Sequence, residues 1–231
     1  MRFIQPSYEI LACPNGEELL RLLEVAARVC YKSEEKIAGG HKAACGVRWA
    51  KEPSSHDMVR KILKSGHLSV IEHQSITVRF ICNRGVSHEL VRHRLCSFSQ
   101  ESTRYCNYGK GDHGLNIIEP SYRPHEGNGG VSENEHTNEG ERRRIWEQAL
   151  EVIEQTYKVL LDMGETPQQA RDILPIGLKT EIVTTCNLRE WRHIFDLRCS
   201  KRAHPQIREL MIPLREELRQ RIPLIFDEVS S

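Results

Sequence analysis

The chain has 231 residues, enough to bury a core without disulfide or metal staples. Its 33 basic and 32 acidic residues leave a formal net charge of +1, so no global field draws it to nucleic acid or a membrane surface. No apolar stretch approaches the ~20 residues of a membrane span. The opening Met1-Arg2-Phe3-Ile4-Gln5-Pro6 also lacks the basic-then-apolar layout of a secretion signal, which predicts a cytoplasmic protein.

Phe3-Ile4 and Tyr8 to Leu11 predict an opening strand, and Pro14-Asn15-Gly16 a turn. From Glu17 to Tyr31 the apolar residues Leu19, Leu20, Leu22, Leu23, Ala26, Ala27 and Cys30 have helical spacing. Residues 32–54 read as a connector with a short helix near Lys42 to Trp49. Ser54 or Ser55 can cap a helix from His56 to Lys64, which Gly66 stops. Gln74 to Cys82 alternates, with Ile76, Val78 and Phe80 on one face and Thr77, Arg79 and Ile81 on the other, as in a half-buried strand. A helix from Arg84 to Arg94 follows, with Val86, Leu90 and Val91 as its apolar stripe, and Leu115 to Ile118 is a further strand.

Residues 121–140, where Pro124, Gly127, Gly129, Gly130 and Gly140 sit among polar side chains, read as a flexible surface loop. A long helix is expected from about Glu141 to Met163, with Ile145, Trp146, Ala149, Val152, Ile153, Tyr157 and Leu160 on its inner face. Pro167 stands at the first position of a short helix reaching about Ile173. A strand or turn near Gly177 to Thr185 leads to helices at Leu188–Leu197 and Pro205–Arg221. With no internal repeat and no clean linker, the fold expectation is a single α+β domain over residues 1–231. It has a central, mostly antiparallel sheet flanked by helices and a helical extension.

Cysteines stand at 13, 30, 45, 82, 96, 106, 186 and 199, and none forms a C-x-x-C pair, so no zinc ribbon or thioredoxin-like motif is supported. Without a secretion signal these thiols are expected to be reduced, most of them behaving as small buried apolar residues. None carries the local signature of a catalytic nucleophile, although a catalytic cysteine stays open.

The richest segment runs from Arg92 to Tyr105. It holds three arginines, one histidine and three serines in fourteen residues, side chains suited to phosphate and planar oxygen groups. Cations at the end of a helix also answer its dipole, at ~0.3–1 kcal/mol each. That explains one or two charges but not the further Ser102 and Arg104. On composition alone, an anion site and a dipole-capping surface remain equally open. His67-Leu68-Ser69-Val70-Ile71-Glu72-His73 does not have the i, i+4 histidine spacing of a helical zinc site, so ligand-contacting polar groups fit better than a metal. Residues 189–208 hold six cations (Arg189, Arg192, Arg198, Lys201, Arg202 and Arg208) against two acids (Glu190 and Asp196). A solvated face with snorkelling arginines or an RNA-binding patch are alternatives, but aromatic platforms are sparse for RNA. A phosphate-rich small ligand accounts better for such a local surplus on a near-neutral chain.

Arg92-His93-Arg94, followed after seven residues by Ser102, matches the R-H-R-x7-S signature of the flavin-dependent thymidylate synthases, and Ser102-x-Arg104-Tyr105 extends the match. Ala27-Arg28-Val29-Cys30-Tyr31 and His67-x4-Glu72-His73 resemble the same family upstream. Ala170-Arg171-x-Ile173-Leu174-Pro175, Asn187-Leu188-Arg189, Leu197-Arg198 and Ala203-His204-Pro205-Gln206 follow downstream in family order. The resemblance covers nearly the whole chain apart from 121–140.

It implies methylation of dUMP to dTMP, with methylenetetrahydrofolate as carbon source, FAD as hydride carrier and NADPH as reductant. It implies a cytoplasmic homotetramer with interfacial active sites and no resident metal. By carry-over, Glu89, Arg92, Gln100, Glu101, Ser102, Arg104, Arg171 and Arg198 bind dUMP, with Arg104 and Arg171 at the phosphate and Arg198 at the uracil ring. His67, Ser69, Glu72, Arg92, His93, Arg94, Asn187, Arg189, His193 and Leu197 line the flavin. Arg198, Ser102 and Arg92 are the candidate catalytic residues. No Ser-His-Asp arrangement is legible around Ser102, so it is expected to position substrate and not to attack it. Two positions depart from the common pattern: Ser99-Gln100 stands where Asn-Glu is frequent, and His193 where Asn is frequent. A nucleotide- or RNA-binding protein without catalysis, or a flavin reductase without transfer, would use many of the same residues.

Overall fold

The computed structural model describes residues 1–33, 54–110, 114–121 and 136–227. Its centre is a pair of alternating strands. β1 (Arg2–Ile4) and β2 (Ser7–Ala12) open the chain, and β3 (Ser75–Asn83) pairs antiparallel with a later strand, Lys179–Asn187, along the full length of both. Every second side chain of that pair turns inward: Ile76, Val78, Phe80 and Cys82 from β3, and Thr180, Ile182, Thr184 and Cys186 from its partner. β4 (Ser97–Gln100) adds to the partner's other edge and β2 to that of β3. With β5 (Asn116–Ile118) and the Lys179–Asn187 strand as β6, the sheet order is β2-β3-β6-β4, antiparallel throughout. β1 and β5 form a separate parallel pair. The expected single opening strand is therefore two strands in two sheets, broken at Pro6, which lacks a backbone donor.

Helices cover one face of the sheet. α1 (Gly16–Tyr31) starts where the Asn15 side chain accepts the Glu17 N–H at 3.0 Å, and it buries Leu19, Leu20, Leu23 and Ala27. α2 (Ser54–Lys64) packs on it through Val59 and Ile62. Both candidate cap serines of α2 lie within the helix, and Gly66 follows at φ 71° in the left-handed region expected of a stop. A 3₁₀ turn over Leu68–His73 then buries Val70 and Ile71.

α3 (Arg84–Leu90) is capped by Asn83, whose Oδ1 accepts the Val86 N–H at 2.8 Å. It ends four residues before the expected Arg94. Val91 is partly exposed, and the chain turns so that His93, and not an apolar stripe, enters the interior. The Arg92-His93-Arg94 run thus lies in tight turns between α3 and β4, an unexpected strand.

α4 (His136–Asp162), α5 (Pro167–Ala170), α6 (Leu188–Arg198), α7 (Pro205–Arg221) and α8 (Pro223–Phe226) complete the chain. α6, α7 and α8 bury Trp191, Ile194, Phe195, Ile207, Leu210, Leu214, Leu218 and Phe226 against the sheet. Trp191, wholly buried, also donates its indole N–H to the Ile76 carbonyl at 3.1 Å. That joins α6 to β3 by packing and by a polar contact together. The expected strand near 177–185 and the two helices after it agree with β6, α6 and α7 to within a few residues.

α4 departs from expectation. Leu150 and Tyr157 face inward, with Trp146 and Ile153 packed beside them. Ile145, Ala149 and Val152 from the expected inner face are exposed. Its first residue, His136, makes the end of the expected 121–140 loop helical, and residues 122–135 lie outside the described residues. So does the short helix expected near Lys42 to Trp49. Among the described residues, no helix is long and apolar enough to cross a membrane.

Candidate active site

The expected site residues gather toward the two ends of β6. At the Asn187 end, Asn187 caps α6 by accepting the Glu190 N–H at 2.9 Å. The helix carries Arg198 in its last turn. Arg198 Nη1 donates to Glu89 Oε2 at 2.7 Å, Nη2 to the Glu89 carbonyl at 3.0 Å, and Nε to His93 Nε2 at 3.0 Å. On the far side of the ring, His93 Nδ1 lies 3.2 Å from Glu190 Oε1. His193 meets His93 edge-on, with centroids 5.7 Å apart. Burial, then the charges of Arg198 and His193, push the His93 pKa down from 6.5 to about 4. The His93–Glu190 contact is therefore a hydrogen bond from a neutral ring, not an ion pair. Burial raises the Glu190 pKa, while His193 and Arg189 pull it down.

Around this buried chain stand exposed polar groups. Arg92 and Arg94 are exposed, and neither side chain makes a hydrogen bond or ion pair among the described residues. Arg189 Nη1 meets Glu72 Oε1 at 2.6 Å, and His67 Nδ1 lies 3.0 Å from the Tyr31 hydroxyl. Ser69 and Leu197 are exposed nearby on the 3₁₀ turn and on α6. The structure thus brings the expected flavin-lining residues to one end of the sheet.

The other expected nucleotide residues collect toward Lys179. Ser102 Oγ accepts the Arg104 backbone N–H at 3.2 Å and meets no side-chain base among the described residues. Arg104 Nε reaches Gln168 Oε1 and Arg171 Nη1 reaches Thr103 Oγ1, both at 3.4 Å and exposed. These long, exposed bonds leave both guanidinium groups able to turn toward an anion. Gln100 points elsewhere: its Nε2 donates to Ser87 Oγ at 2.9 Å and Thr180 Oγ1 at 3.1 Å. The Glu101 carboxylate is also engaged, accepting the Tyr108 hydroxyl at 2.8 Å and Lys179 Nζ at 2.9 Å. Gln100 and Glu101 are thus tied into the protein, unlike Arg104 and Arg171.

Sequence reasoning missed Glu190 and Lys179. Only the spacing of Glu190, three residues after Asn187 and three before His193, could have marked it as facing the same way. Lys179 has only a weak local signal, the i, i+2 acid Glu181 on its own strand; its other partner, Glu101, is brought beside it by the fold.

Residues 15–224 match the family model described as "Thymidylate synthase complementing protein". The flavin-dependent thymidylate synthase of Geobacter sulfurreducens is 35% identical over 222 residues, covering 94% of this chain and 83% of that protein. The one from Corynebacterium efficiens is 29% identical over 251 residues, covering 97% and 90%. In fold, the chain is similar to a UMP/dUMP methylase, PolB from Streptomyces cacaoi, whose crystal structure is bound with 5-Br dUMP. The TM-score is 0.74 at 24% identity, covering 98% of this chain and 96% of that one. The α+β architecture and the sequence matches agree. The chain is an enzyme of the flavin-dependent thymidylate synthase family, a family of methyltransferases with a flavin cofactor.

Proposed function

We propose that this enzyme makes dTMP by reductive methylation of dUMP, with FAD as resident cofactor. In balance, dUMP, methylenetetrahydrofolate, NADPH and a proton give dTMP, tetrahydrofolate and NADP⁺. The observation that carries this reading is the Arg198 guanidinium, held by Glu89 and His93 beside the Arg92-His93-Arg94 turn, within a chain that matches the family over most of its length.

The residues at the Asn187 end fit FAD. Arg92 and Arg94 are exposed cations with no acid partner among the described residues, as a dinucleotide's diphosphate requires. His67, Ser69, Glu72, His93, Asn187, Arg189, His193 and Leu197 offer the surrounding polar and apolar contacts. The flavin, when bound, passes reducing equivalents from NADPH to the one-carbon unit. The chain's own residues bind and polarise dUMP. Arg198 stabilises negative charge that builds on the pyrimidine oxygen as C5 becomes nucleophilic, and Arg92 adds a second cation near the ring. Arg104 and Arg171 hold the phosphate. Ser102, with no base beside it, orients the nucleotide, and Gln100 and Glu101 shape the backbone that presents it.

A homotetramer with shared sites, as the family resemblance implies, needs a face that meets a second copy. α4 offers a face for it: Ile145, Ala149, Val152, Val159 and Met163 form an outward apolar row at alternating three- and four-residue spacing, completed by Thr156. The free thiols among the described residues support a reducing, cytoplasmic setting.

The purified protein, loaded with FAD, tests the cofactor reading. A flavin absorbance spectrum at close to one FAD per chain is expected. A protein that stays colourless after loading would remove the reading.

A further inference from the structure

We infer that Glu190 is a positioning residue, locking His93 in the tautomer that allows its ring to hold Arg198. Arginine Nε carries a hydrogen and has no lone pair to offer, so the Arg198 Nε contact at 3.0 Å requires His93 Nε2 to be the acceptor. The ring proton must then sit on Nδ1. Facing Nδ1 at 3.2 Å is Glu190 Oε1, which accepts it. If the proton moved to Nε2, two N–H groups would oppose each other across 3.0 Å. An imidazolium would oppose them too, and would add its charge to the guanidinium.

Glu190 is built to stay in place. It is buried in the first turn of α6, where the helix dipole favours a carboxylate, and its own N–H is capped by Asn187. The adjacent Trp191 anchors the helix in the core. His193, one turn on, closes the third side of the His93 ring. His93, Glu190 and His193 could in principle converge on a cation. However, both His93 nitrogens are already committed, and Arg198 places a positive charge against the ring.

The consequence lies at Arg198. Three of its five N–H donors are used, one by His93 and two by Glu89, leaving one on each terminal nitrogen for a ligand. Two contacts from Glu89 alone leave the guanidinium free to swing about them, and the third from His93 removes that freedom. The role of Glu190 in turnover rests on the proposed placement of Arg198 at dUMP. Its effect on the His93 tautomer does not.

The test uses the full-length protein, labelled with ¹⁵N-histidine and without nucleotide, with the His93 signal identified by its loss in His93→Gln. Long-range proton–nitrogen spectra near neutral pH are expected to show His93 as the Nδ1–H tautomer. An Nε2–H tautomer or an imidazolium in the wild-type protein overturns the inference, with no variant needed. Glu190→Leu should lose the single tautomer and raise KM for dUMP about tenfold, the order of one hydrogen bond to a charged group. Glu190→Gln keeps an acceptor and should restore both. An unchanged tautomer in Glu190→Leu also overturns the inference. If that variant does not fold, the wild-type and Glu190→Gln spectra decide. A correct tautomer with no dUMP turnover in any form counts against the methylation reading and leaves the hydrogen-bond chain standing.

Discussion

Arg198, in the last turn of α6, holds Glu89, at the end of α3, by two contacts: Nη1 to the carboxylate at 2.7 Å and Nη2 to the backbone carbonyl at 3.0 Å. A carboxylate and a main-chain oxygen together position the guanidinium, and the His93 contact at Nε fixes its orientation. Arg198→Lys keeps the charge but loses the fork. Turnover of dUMP is expected to fall on the order of 10²-fold in Arg198→Lys and further in Arg198→Ala, the scale of removing one transition-state donor. Steady-state kinetics on both variants checks this. Ser102→Ala should lose less than Arg198→Ala. Complete loss of turnover in Ser102→Ala with intact dUMP binding would instead make Ser102 the nucleophile.

The depressed pKa of His93 makes stability sensitive to acid. In the unfolded chain the ring takes a proton near pH 6.5, whereas in the folded protein it does so only near 4. As pH falls through that window the unfolded state binds a proton that the folded state refuses. Up to about 3 kcal/mol of stability is present above the window and lost by its lower end. Denaturant melts of wild type and His93→Gln from pH 7 to pH 4 measure this. The wild-type stability should fall more steeply, with the excess slope absent from the variant.

Lys179 sits between Glu101 at 2.9 Å and Glu181 at 2.6 Å, mostly shielded from solvent. These carboxylates outweigh burial and hold the ammonium pKa above its usual value. Lys179→Met leaves two acids facing each other beside the Tyr108 hydroxyl. A loss of about 3 kcal/mol is expected, as for a shielded pair deprived of one partner. Adding Glu181→Gln should recover part of it, as read from denaturant midpoints.

The exposed row on α4 predicts an assembly defect. Val152→Glu combined with Val159→Glu puts acids into the face proposed to meet a second copy. Light scattering should give a smaller particle than wild type. Helix content should be unchanged, because both side chains already face solvent. Turnover should fall with the mass if sites are shared between subunits. An unchanged mass would remove α4 from the interface.

Much of this was legible where local signals agree. In β3 the alternation of Ile76, Val78 and Phe80 maps directly onto the buried face, and Asn187 and Pro205 mark the starts of α6 and α7. Long-range pairing hid the rest. β4 has a single apolar residue, Phe98, and becomes a strand only because β6 offers an edge. In the sequence the apolar stripe of α3 continues to Val91, yet the helix stops at Leu90 and His93 turns inward to meet Glu190, ninety-seven positions away. α4 carries two apolar rows, so periodicity alone could not say which faces the core. At the site, the Arg92-His93-Arg94 and Ser102 pattern identified the family. Three-dimensional contacts were needed to separate Gln100 and Glu101, tied into the protein, from the arginines left free for a ligand.

Methylation itself is the central claim, and carbon transfer tests it most directly. The FAD-loaded enzyme is incubated with dUMP, NADPH and methylenetetrahydrofolate labelled in the methylene carbon, and the nucleotide is recovered. The label should appear in the methyl group of dTMP, only when NADPH and FAD are both present. A flavoprotein that oxidises NADPH yet leaves dUMP unlabelled would contradict it.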